Sequence, residues 1–71
     1  MERTYYQVEV DRAYSDSILV LEKFDSYDDA LEFFKKQEKT PAVNVYLSKE
    51  HEILNDNGDV LNRASKDLKT K

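Results

Sequence analysis

Between Ser26 and Pro41 the apolar residues Tyr27, Ala30, Leu31 and Phe34 fall at i, i+3, i+4 and i+7, one stripe along a helix. On both sides of this segment the dominant period is two. A chain with one amphipathic helix among half-buried strands has few ways to hide both: the helix must lie on one face of a sheet. Ser26 is placed to cap the helix, with Asp28 and Asp29 in its first turn. Lys35, Lys36 and Lys39 follow, so acids lead and bases trail as the helix dipole favours. The residue before a proline avoids the helical region, so Pro41 sets the far limit and the helix is predicted over 27–39.

From Tyr5 to Val10, Tyr6, Val8 and Val10 share one side and Tyr5, Gln7 and Glu9 the other, the pattern of a half-buried strand. Tyr14-Ser15-Asp16 supplies a turn, and residues 17–24 a second strand forming a hairpin with the first. After Pro41, Val43, Val45 and Leu47 alternate with Asn44, Tyr46 and Ser48 in a third strand. Ile53-Leu54 and Val60-Leu61 read as two short strands around Asn57-Gly58, a favoured pair where a two-residue turn needs φ > 0 twice. A right-handed crossover from strand 2 through the helix to strand 3 leaves room for strand 1 between them. The expected fold is α+β in two layers: a mostly antiparallel sheet, ββαββ with a fifth short strand at the far edge, ordered 2-1-3-4. One helix packs on one face, with Tyr27, Leu31 and Phe34 against Tyr6, Val8, Val10, Val43, Val45 and Leu47.

With 71 residues, one glycine, one proline and no cysteine, the chain reads as a single small domain, 1–71, without linker, disulfide or thiolate metal site. Eight aromatic residues and well-patterned apolar positions argue against disorder. The longest apolar run is Ile18-Leu19-Val20-Leu21, far short of a bilayer span, and residues 1–4 lack a secretory pattern. A soluble, cytoplasmic protein with no membrane contact is expected. Residues 1–40 carry a net −4, residues 41–71 are balanced, and residues 63–71 are locally basic. An acidic body repels phosphate, which disfavours nucleic acid as a partner.

The residues that could carry chemistry are few. His51 lies between Glu50 and Glu52, with Ser48 nearby, and reads as a solvent-exposed turn residue. One histidine and no cysteine fall short of a zinc ligand set. Asn55-Asp56-Asn57-Gly58-Asp59 resembles a calcium loop only superficially, since Ile53 and Ala64 occupy ligand positions and cannot coordinate. A single glycine excludes a phosphate-cradling loop. No catalytic, cofactor-binding or metal residues are assigned, and neither a small-molecule substrate nor a cofactor is expected.

Strand 2 departs from the pattern. If Ile18 and Val20 face the helix, Leu19 and Leu21 face away, where a one-sided sheet should be polar. Tyr5 and Tyr46 project from the same far face on this register. Tyr5, Leu19, Leu21 and Tyr46 are therefore the candidate partner-binding patch, with Glu9 and Asp11 around it. Two alternatives stand beside an exposed patch. Leu61, Ala64 and Leu68 follow helical spacing, so residues 64–71 are either a short helix covering that face or a solvated basic tail. The functional expectation is a non-catalytic protein-binding module, a small inhibitor or adaptor of which the bacteriophage type is one version, acting through a sheet face or strand edge. The rival readings are an acidic nucleic-acid mimic and a small homodimeric structural subunit.

Overall fold

The period-two segment around Tyr6, Val8 and Val10 forms β1 (Glu2–Arg12), which pairs antiparallel with β3 (Val43–Leu54) along its whole length. The computed structural model describes residues 1–71 and adds β2 (Ile18–Phe24), α1 (Tyr27–Lys36) and β4 (Val60–Thr70). The four strands make one sheet in the order β2-β1-β3-β4, every neighbouring pair antiparallel. The molecule is an α+β two-layer fold with the predicted neighbours 2-1-3, the strand expected at Ile53-Leu54 being the end of β3 and the one expected at Val60-Leu61 the start of β4.

The core lies between α1 and one face of the sheet. Val8, Val10, Val45 and Leu47 are buried against Ala30 and Phe34, with Tyr6, Val20, Phe24, Tyr27, Leu31, Phe33, Val43 and Leu68 packed around them. Tyr27 meets Tyr6 edge-on at 5.6 Å, and Phe33 meets Phe24 at 5.4 Å, so aromatic pairs fix both ends of the helix on the sheet. Ser26 Oγ accepts from the Asp29 backbone N–H, the predicted cap.

Four expectations are corrected. The helix ends at Lys36, not at 39, with Gln37 already extended. The Lys71 ammonium donates to the carbonyls of Phe34 and Gln37 at 2.8 Å and Lys35 at 3.2 Å, satisfying the helix end earlier than Pro41 requires. The polar stretch Ser48–Glu52 is not a turn but the middle of β3, which runs unbroken to Leu54. The last segment is neither a basic tail nor a covering helix: residues 60–70 are one edge strand, and no fifth strand exists. The β3–β4 connection also differs from a two-residue turn. Only Gly58 has positive φ, 85°, and Asn55 Oδ1 accepts from the backbone N–H groups of Asn57 and Asp59, so the loop spans 55–59.

α1 packs on β1, β2 and β3, and β4 reaches the core through Leu68. The opposite face of the sheet carries no second layer. No helix is long and apolar enough to cross a membrane.

Candidate functional site

Register assigns the helix-free face row by row. Arg3, Glu52 and Arg63 form one row across β1, β3 and β4, and Tyr5, Glu50 and Ser65 the next. Lys23, Gln7, Ser48 and Asp67 follow across all four strands, and then Leu21, Glu9, Tyr46 and Thr70. The acids at 50 and 52 thus sit on the central strand β3, where long neighbours from both flanks can lie over them.

Glu52 is 0% exposed. Arg3 Nε donates to its Oε1 at 2.5 Å, and Arg63 donates to Oε2 from Nε at 2.9 Å and Nη2 at 2.5 Å. Both arginine side chains are about half exposed, so the carboxylate lies under a thin charged lid with water beyond it. The Arg3 hydrogen bond, then that of Arg63, holds the Glu52 carboxyl below its usual range against the opposing effect of burial. Tyr5 lies beside this cluster, its hydroxyl donating to Glu52 Oε2 at 3.4 Å and its ring between Arg3 and Lys23. Burial raises the phenol above its ordinary value.

Beyond Tyr5 the sign of the face reverses. Ser48 and Ser65 are short, while Gln7, Glu9, Asp11, Tyr46, Glu50 and Asp67 stand around them, so the middle of the sheet sinks into an open basin of about 280 Å³. Four of its eight lining residues are acids and none is a base. Glu50 is 6% exposed, and its Oε2 has no hydrogen-bond partner in the protein. Asp11 Oδ1 likewise meets no ordinary donor. The Glu9 carboxyl is pushed up to about 7, first by hydrogen bonding to Asp11, then by burial and by repulsion from Asp11, Asp67 and Glu50.

The four patch residues do not form one exposed surface. Tyr5 is on the expected face but is buried at 6% exposure, because Arg3, Lys23 and Glu52 enclose it. Leu21 and Tyr46 lie on the expected face and flank Glu9 in one row. Leu19 is separated from them by a bulge: Val10 pairs with Val20 and Asp11 with Ile18, so Leu19 is the extra residue and the alternation breaks there. It lines a concavity of about 460 Å³ with Arg12, Tyr14, Ser15, Ala42 and Val43 at the β1 end of the helix-bearing side. Val20 packs in the core as expected; Ile18, paired with Asp11, does not.

Ser48 and His51 lie on opposite faces of β3 by parity and do not meet. His51 instead joins β1, with Nδ1 2.9 Å from Thr4 Oγ1 and Nε2 3.2 Å from Glu2 Oε1. That row has the order nucleophile, base, acid, but it lies at the exposed surface, and neither His51 nor Glu2 lines a concavity. No three histidine or acidic side chains converge to hold a metal ion. The basin itself was hidden in the sequence because its acids come from β1, β3 and β4. The one local signal was parity: Ser48, Glu50 and Glu52 continue the side of β3 that Tyr46 begins.

No family model, curated protein or solved structure matches the chain.

Proposed function

We propose that the chain is a non-catalytic protein-binding module that engages its partner through the helix-free face of the sheet, as a small inhibitor or adaptor does. The observation that carries this reading is a sheet face without a covering layer, on which half-exposed Leu21 and partly exposed Tyr46 border a recessed acidic basin. Aromatic and aliphatic groups beside buried polar ones are the usual make-up of a protein interface.

The strand edges serve the role less well. β4 carries bulges at Leu61 and Leu68 together with Lys66 and Lys69, and β2 is short with its own bulge at Leu19. Bulges and edge lysines are the devices that keep a sheet edge from pairing. A nucleic-acid mimic calls for carboxylates standing free in water at phosphate spacing, whereas Glu52 lies under Arg3 and Arg63 and Glu50 is recessed in the basin.

The test is photo-crosslinking in the source cell with a benzophenone side chain placed at Leu21, at Tyr46 or, on the outer side of α1, at Glu32. A single protein crosslinked from positions 21 and 46 but not from 32 supports the reading. Crosslinks from position 32 alone, or none from either face position, overturn it.

A further inference from the structure

A carboxylate oxygen buried without a donor is costly, and native proteins leave few of them. Glu50 Oε2 is such an atom at 6% residue exposure, and Glu50 is one of the residues that line the acidic basin. None of its neighbours donates to it in this structure. Across β3, Tyr5 turns its hydroxyl to Glu52, and Arg3 and Arg63 are committed to Glu52 as well. The remaining wall offers Glu9, Asp11, Asp67, Ser48, Ser65, Gln7 and Tyr46, with no cation among them.

We propose that the basin receives the guanidinium group of an arginine side chain from the bound partner, with Glu50 as its principal carboxylate. This rests on the protein-binding reading and names the chemistry of the segment that docks. A metal ion is the poorer occupant, because no three carboxylates converge on one point. A planar guanidinium spreads five donors over a wide arc, which suits acceptors set apart on β1, β3 and β4 around a basin of about 280 Å³. Tyr46, on the wall, adds an aromatic side chain of the kind on which guanidinium stacks.

The experiment is an NMR titration of the whole chain with N-acetyl-arginine amide, with the neutral citrulline analogue, the lysine analogue and magnesium ion as comparisons. The arginine amide is expected to shift the backbone amides of Ser48, Glu50, Ser65 and Asp67 saturably, with a Kd on the order of 1 mM for so small a probe. Glu50→Gln is expected to weaken it at least about tenfold, and the citrulline analogue to leave these amides unmoved. Equal shifts from citrulline, from lysine or in Glu50→Gln overturn the assignment, as does a response to magnesium without one to the arginine amide. Because the titration uses no partner, its failure beside positive crosslinks from positions 21 and 46 removes the arginine and leaves the protein-binding reading standing.

Discussion

Lys71 Nζ lies 2.8 Å from the carbonyl oxygen of Phe34, the residue that buries the helix in the core, and 4.9 Å from the centre of the Phe34 ring. A residue 37 positions away in sequence thus closes the C-terminus of α1. The same residue hydrogen-bonds through its backbone N–H to the Val45 carbonyl at 2.8 Å, which ties helix, β3 and the end of β4 together.

Lys71→Met keeps most of the apolar stem and removes the donors. Losing a cationic cap at a partly buried helix end is expected to cost about 1 kcal/mol, or roughly 4–8 °C of Tm in a domain of this size. Thermal unfolding followed by circular dichroism reads it directly. An unchanged Tm shows that the helix end is satisfied without Lys71.

Deleting residues 64–71 removes more than a cap. It takes Leu68 from the packed cluster and strips β3 of its partner from Tyr46 to His51. With net stability for so short a chain on the order of 4–10 kcal/mol, the truncated protein is expected to lose cooperative unfolding. A truncated chain that melts like the parent contradicts β4 as a structural strand.

The parts of the fold legible in the sequence were those whose partners are local or whose pattern repeats. The α1 stripe, the β1 alternation and the Ser26 cap each occupy a few consecutive residues. The middle of β3 was illegible because Lys49, Glu50, His51 and Glu52 are all polar. What buries Glu52 is Arg3, 49 residues away, together with Arg63. β4 was misread because bulges at Leu61 and Leu68 break period two, and nearly all its side chains are exposed. The candidate face was foreseen in Leu21 and Tyr46 but not in its basin, which exists only once three strands are in register.

Glu9 and Glu52 set opposite limbs of the stability–pH curve. The Glu9 carboxyl is raised to about 7 in the fold, so the folded chain holds a proton that the unfolded chain has released above about 4.5. Stability from this group therefore falls as pH rises from about 4.5 to 7. Glu52 is lowered, so its contribution is present above the unfolded carboxylate range and is lost as pH falls through its folded value. The expected Tm profile peaks on the acid side of neutrality. Glu9→Gln should flatten the neutral limb, raising Tm at pH 8 by about 5 °C, and Glu52→Gln should flatten the acid limb. A wild-type Tm that climbs from pH 5 to 8 contradicts the raised Glu9 carboxyl.

The bulge at Leu19 makes two adjacent-looking leucines separable. Leu21 is 45% exposed opposite Glu9 on the helix-free face, whereas Leu19, 47% exposed, lines the concavity with Tyr14 and Val43. Neither is in the packed cluster, so Leu19→Ser and Leu21→Ser are each expected to change stability by no more than about 0.5 kcal/mol. Their effects on recognition should differ. Once the crosslinked partner is in hand, titration calorimetry should find Leu21→Ser weakened at least about tenfold, near 1.4 kcal/mol, and Leu19→Ser close to wild type. Equal loss in both variants would mean that the partner reaches around β2 to the helix-bearing side. Loss in Leu19→Ser alone would move the interface to the Arg12, Tyr14 and Val43 concavity, away from the acidic basin. The contrast depends on one extra residue in β2, so deleting that residue gives a second reading of the same geometry. Without Leu19 the regular alternation continues past Val20, and Ile18 stays opposite Asp11 on the helix-free side. Partner affinity should survive that deletion, because Leu21, Glu9 and Tyr46 keep their row.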